Sequence, residues 1–290
     1  MFKNALVMLA LDDRDATVLS ALYDGAARLG VRKVTAAHIY AHDPFPELRP
    51  EAPTEEADLA ARMEEAIAAI RARLPEVDVV GIHASGTPED ELNLIIQGED
   101  IDLLLIGRSP ARDGKPGWGP SGRNFLRRIS CSAMVIPVGS RLDLSRVVVG
   151  FDFSFQSSYA LQHAVRVADQ VDAVYQFDLS AATSGGLSDE EFQLQIAGHT
   201  LQHFEEDVLP LLGDALRPGL LAVRGTDAAQ LLVDMAGTRP IVTGTRGLSR
   251  LAVLILGSTA ENVAGLSLGP TLIIRKKGES ESFGETLVQR

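Results

Sequence analysis

Cysteine is almost missing from this chain: Cys131 stands alone among 290 residues. One thiol closes no intrachain disulfide and builds no thiolate metal cluster, and it suits a reducing cytoplasm, the expected location. Long apolar runs are missing too. None reaches the roughly 20 residues that cross a bilayer, so no membrane partner is expected. The N-terminal "MFKNALVMLALDD" runs from one lysine through seven apolar residues into Asp12 and Asp13, with no small-residue cleavage pattern. It reads as a strand and not a leader. Basic charge is scarce: 27 Lys and Arg against 39 Asp and Glu leave a net charge of −12, which disfavours nucleic acid as a partner. No Walker A loop, G-x-S-x-G elbow or carboxylate pair is legible, and with no visible nucleophile or general base the chain is not expected to be an enzyme.

What is present is a repeat. "LVMLALDDRD" from Leu6 resembles "VVVGFDFSFQ" from Val147, setting Asp12 against Asp152 at an offset of 140. "GTPEDELNLIIQG" from Gly86 matches "GTDAAQLLVDMAG" from Gly225 at 139. Gly107 matches Gly244 at 137, and "SAMVIPV" matches "PTLIIRK" at 138. Four landmarks in one order at nearly one offset mark two tandem domains, 1–142 and 143–290, rather than a solenoid of short repeats.

Each half alternates strands and helices. The first strands are expected at Ala5–Leu11 and Val147–Phe151, the long helices at Thr54–Leu74 and Asp189–Leu212. The pattern predicts an α/β fold, each domain a five-stranded parallel open sheet with helices on both faces. Ligands of such sheets sit beyond the carboxyl ends of the strands, at the switch point. Asp12, Asp152, Gly107 and Gly244 all fall at such ends.

"TGTRGLSRLAVLILGSTAEN" (Thr243–Asn262) carries the sharpest signal. Gly244 and Gly247 follow a short β-branched strand and let backbone N–H groups approach a ligand. Gly257-Ser258-Thr259 opening a helix adds free N–H groups, two hydroxyls and the positive end of the helix dipole, a natural phosphate site. Ser258-Thr-Ala-Glu261 also reads as a capping box that needs no ligand, although capping leaves Gly244 and Gly247 unexplained.

The spacing G-x2-G-x9-G-S/T in this stretch, with "GSTAENV" and "GFDFS", resembles the nucleotide-binding universal stress proteins, and the duplicated layout resembles their tandem members. That resemblance implies the adenine nucleotide α-hydrolase-like fold and a stress-response protein that binds ATP or a related adenine nucleotide as a switch or scaffold. It places phosphates on Gly244, Thr245, Arg246 and Gly247 and on Gly257, Ser258 and Thr259, adenosine near Phe151, Asp152, Phe153 and Asp178, and Thr243 among the nucleotide-binding residues. Asp152 is open to two readings: a ribose or Mg2+ ligand, or an Asx turn after the strand. Slow ATP hydrolysis or nucleotidyl transfer on the same fold, and a ligand-free scaffold, are the alternative functions. The duplication further implies an intrachain pseudo-dimer, with "AMVIPV" and "TLIIRK" as the expected contact and a homodimer as a further option.

The first half departs from the pattern. Asp12, Ile39, Gly107, Gly119, Ser121 and Gly122 would form its degenerate site, but Pro110 and Pro120 stand where N–H donors are needed. Its Gly117-x-Gly119-x-x-Gly122 lies too far beyond the strand for a dinucleotide fingerprint. Loss of binding is expected there, with an altered ligand, met by Arg112, Lys115 or Arg123, as the second option. His199 and His203 lie on one helix face with Glu206 and read as a solvated surface rather than a zinc site. His38 reads as a hydrogen-bonded core residue, and Cys131 as buried.

Overall fold

Strands built from Val, Ile, Leu and Ala, with helices apolar along one stripe, bury a parallel sheet on both faces. The computed structural model, which describes residues 1–40, 52–108, 125–178, 188–213, 216–245 and 256–276, has this architecture in each of two units that divide between Arg141 and Leu142. The first unit comprises β1 (Asn4–Met8), α1 (Asp15–Leu29), β2 (Lys33–Tyr40), α2 (Ala52–Arg73), β3 (Asp78–Ser85), α3 (Pro88–Gly98), β4 (Leu103–Arg108) and β5 (Ser132–Pro137). Its strands lie in the order β3-β2-β1-β4-β5, every neighbouring pair parallel. The second unit comprises β6 (Arg146–Gly150), α4 (Phe155–Val167), β7 (Gln170–Phe177), α5 (Asp189–His203), β8 (Gly219–Arg224), α6 (Ala228–Ala236), β9 (Ile241–Gly244), α7 (Ser258–Leu266) and β10 (Thr271–Ile274). Its order, β8-β7-β6-β9-β10, is the same topology, again parallel throughout. The switch points therefore lie between β1 and β4, and between β6 and β9. Among the described residues no helix is long and apolar enough to cross a membrane.

Local sequence explains the elements. α1 buries Val18, Ala21, Leu22, Gly25, Ala26 and Leu29, one helical face. Gly30 ends it at φ 82°, a left-handed cap that returns its N–H to Ala26 and Ala27. α4 starts at Ser154, whose side chain accepts the Ser157 N–H, and α6 at Asp227, which accepts from Ala229 and Gln230. The single helix expected over Asp189–Leu212 is broken. α5 ends at His203, a wider π-type turn spans Phe204–Val208, and a 3-10 turn spans Leu209–Leu212. Pro210 has no N–H and its ring collides with the carbonyl four residues back, so a continuous α-helix cannot pass it.

The register of the repeat also needs correction. Leu9 donates to Ala37 one residue beyond β1, and Phe151 donates to Val174 one residue beyond β6. Leu9 thus corresponds to Phe151, an offset of 142, and Ala10, not Asp12, occupies the place of Asp152. Asp12 corresponds to Ser154. The expected first strand also ends early, at Met8, because Leu11 turns into the left-handed region at φ 59°.

Asp172 of β7 ties the second sheet together. It accepts two hydrogen bonds from Arg146 of β6, at 2.7 and 3.1 Å, and one from Arg239, just before β9, at 2.9 Å. The Arg146 hydrogen bond, with Arg239 behind it, holds the carboxyl below its ordinary 3.8. A lowered acid stabilises the fold above its unfolded value and stops doing so as the pH falls through the folded value. Asp172→Asn should therefore cost about 1 kcal/mol at neutral pH, and the gap from the parent, read from urea midpoints, should shrink below pH 3.8. A gap that does not change with pH would contradict this.

Candidate functional site at the second switch point

Beyond β6 the chain turns through Phe151–Ser154 into α4, and hydroxyls shape the turn. Asp152 Oδ1 accepts the Ser154 N–H at 3.0 Å, an Asx turn. The Asp152 N–H donates to Ser157 Oγ at 3.3 Å, and Ser154 Oγ accepts the Ser157 N–H at 3.1 Å. The Asx turn foreseen for Asp152 is formed, and Asp152 lines the cleft that opens here.

β9 supplies the opposite wall. A Cβ on Gly244 would come within 2.7 Å of the Gln156 backbone in the first turn of α4, so glycine is required here for strand and helix to approach. Among the described residues, a Cβ on Gly107 of the first unit would meet only the tip of Val18, at 3.0 Å. Thr243 is 4% exposed, and its hydroxyl has no hydrogen-bond partner among the described residues. The Gly257 N–H donates to the Thr245 carbonyl at 2.6 Å, bringing the start of α7 to the end of β9.

α7 opens without a side-chain cap. Gly257 is the N-cap residue, Ser258 is the first helical residue, and the Glu261 N–H closes onto the Gly257 carbonyl at 3.0 Å. The capping box expected at Ser258 and Glu261 is not formed, because the serine lies one residue inside the helix. The N–H groups of Ser258, Thr259 and Ala260 have no acceptor within the helix, and they carry its positive dipole end. All three residues line the cleft.

The cleft has a volume of about 330 Å3. Of the residues foreseen, Phe151, Asp152, Thr243, Gly244, Thr245, Gly257, Ser258 and Thr259 line it together. Arg246 and Gly247 lie outside the described residues. Phe153 and Asp178 do not line it. Phe153 adopts φ 60°, and its ring packs on Phe151, Tyr175 and His203 at 4.8, 5.4 and 4.7 Å. Asp178 is exposed. His203 is exposed on the helix surface, as expected, where it stacks on Phe153 and pairs with Asp207. Sequence reading missed Val174 and Gln176 of β7 and Ala228, Leu231 and Leu232 of α6. The i, i+3, i+4 spacing of the α6 residues marks one helix face, but which side of the sheet it covers is set only by the topology.

At the first switch point the cleft is smaller, about 180 Å3, and lined in part by Leu9, Ala10, Arg14, Asp15 and Gly107. A side chain of this unit already uses its strand-end amides: Ala10 and Leu11 donate to the Asp15 carboxylate at 2.8 and 2.7 Å. Burial pushes the Asp15 carboxyl up, although these two donors pull it down. Asp12 is exposed and held by the Arg14 guanidinium, whose hydrogen bonds bring its carboxyl down to about 2. Asp12 and Ile39 do not line this cleft. Pro110, Arg112, Lys115, Gly119, Pro120, Ser121, Gly122 and Arg123 lie outside the described residues. His38 is buried, with Nδ1 on the Leu9 carbonyl at 2.9 Å.

The model of the universal stress protein family matches this chain twice, over residues 1–137 and 144–275. A universal stress protein from Archaeoglobus fulgidus DSM 4304 superposes with a TM-score of 0.63 at 17% identity, over 94% of this chain and 96% of that one. A functionally unknown protein from Pseudomonas aeruginosa PAO1 does so at 0.61 and 13%, over 100% and 98%. At such identities the likeness establishes the fold. A search of curated protein sequences returns no match. With the family's pattern found in both halves and its fold built twice, this chain belongs to the universal stress protein family as a tandem, two-domain member.

Proposed function

We propose that the second unit binds one adenine nucleotide, ATP or a close relative, and that the chain acts as a nucleotide-dependent switch or scaffold in a cytoplasmic stress response. One observation carries the reading: the start of α7, with N–H groups that have no acceptor within the helix, and the buried Thr243, whose hydroxyl is unpartnered among the described residues, line the same cleft at a switch point. Backbone N–H groups of Ser258, Thr259 and Ala260 suit phosphate oxygens, because the helix dipole and donors without an acceptor inside the helix act in the same sense. Apolar Val174, Leu231 and Leu232 suit the flat face of a base, and Asp152 suits a ribose hydroxyl. Among the described residues no group of three His, Cys, Asp or Glu side chains could hold a metal. An Mg2+ arriving with ATP would rely on Asp152 and on phosphate and water oxygens.

The support for turnover is thin by comparison. Among the described residues lining the cleft Asp152 is the sole ionisable side chain, and one of its oxygens already serves the turn. A water-activating base needs a free acceptor aimed at the reacting atom.

Thr243→Val is the sharpest variant. It removes an unsatisfied buried hydroxyl, so the free protein should gain about 1 kcal/mol of stability, while ATP affinity measured by calorimetry should fall several-fold. Thr35 of β2, buried with its hydroxyl likewise unpartnered among the described residues, does not line the cleft. Thr35→Val should gain stability and leave affinity unchanged. Equal affinity in both variants would remove Thr243 from the site.

Titration of the parent chain with ATP should saturate at one nucleotide per chain, and steady-state hydrolysis with Mg2+ should stay well below the order of 1 per second typical of enzymes. Two equivalent sites would contradict the asymmetry of the two units, and turnover at ordinary rates would make the chain an ATP-hydrolysing enzyme.

A further inference from the structure

We infer that the side chain of Gln176 reads the nucleobase, selecting adenine over hypoxanthine and guanine. This deepens the adenine-nucleotide reading and rests on it. Gln176 is the penultimate residue of β7, paired in register with Val223 of β8. It lines the cleft two residues after Val174, so the two share one face of the strand. The walls in this part of the cleft are otherwise apolar: Val174, Ala228, Leu231 and Leu232.

Its amide is not free to turn. Nε2 donates to the Gly225 carbonyl just beyond β8. A carbonyl oxygen can only accept, so the amide nitrogen must face Gly225 and the amide oxygen must face away. The acceptor is itself anchored, because the Gly225 N–H donates to the Phe177 carbonyl at 3.0 Å, closing the ends of β7 and β8 together. Gln176 Cγ lies 3.5 Å from where a Gly225 Cβ would sit, so the stem is packed as well.

With one N–H spent on Gly225, the amide keeps Oε1 as an acceptor and one N–H as a donor. Adenine offers the complementary pair on its N6–H and N7 edge, the pairing by which glutamine recognises adenine in nucleic acids. Hypoxanthine and guanine carry O6 in place of the amino group and would set oxygen against oxygen. Flipping the amide would relieve that contact only by leaving the Gly225 carbonyl opposite another oxygen, so the tether converts an adaptable side chain into a selective one.

The test is calorimetric titration of the full chain with ATP, inosine triphosphate and GTP, repeated on Gln176→Met, which keeps length and stem but removes the amide. The parent should bind ATP roughly tenfold or more tightly than the other two, and in the variant the three affinities should converge to within about threefold. A parent ratio near one overturns the inference, as does a large ratio that persists in the variant, and both leave nucleotide binding intact. If the variant does not fold, the parent ratio alone decides whether the base edge is read. Failure of all three nucleotides to bind the parent refutes the nucleotide reading, and the inference with it.

Discussion

A single backbone hydrogen bond, from the Gly257 N–H to the Thr245 carbonyl, makes the second-unit site what it is. It returns the chain to the end of β9, so α7 begins at the switch point, and its first N–H groups, which have no acceptor within the helix, line one cleft with Thr243 and Gly244. The approach of α4 depends on the same strand end: with no side chain on Gly244, the first turn of α4 lies against it. Two helix starts and two strand ends therefore converge on about 330 Å3. Neither helix would be positioned for a ligand without the strand order that places β6 beside β9.

Much of this was legible because it rests on local chemistry. Strands of β-branched residues with helices between them dictate a parallel sheet, and a glycine at a strand end with Gly-Ser-Thr further on marks the start of a helix near that end. The parts that were not legible depend on register or on long-range packing. Asp12 was matched to Asp152 because both follow apolar strands, yet two residues of slip separate them, and hydrogen bonding to the neighbouring strand is what fixes the count. Phe153 stood inside a site motif, but its positive φ sends the ring to Phe151, Tyr175 and His203 instead. Gln176 and the α6 wall carried no motif at all. Their place depends on which strands are neighbours.

The two units differ at their switch points through few residues. Where the second has Asp152 and Ser157, the first has Ala10 and Asp15, and the aspartate takes up the amides at the end of β1. An internal carboxylate there offers an anionic ligand repulsion rather than donors. Arg14, which also lines this cleft, pairs with Asp12. The first unit keeps the sheet and its switch point, with a carboxylate where the second unit has a hydroxyl.

Photolabelling with 8-azido-ATP, followed by peptide mapping of the full chain, asks directly which switch point takes the nucleotide. The label should appear on second-unit peptides carrying the ends of β6, β7 or β9 or the start of α6 or α7, and excess ATP should suppress it. Labelling of first-unit peptides that ATP suppresses equally well, or labelling that ATP does not suppress anywhere, would contradict a nucleotide site built around the uncapped start of α7.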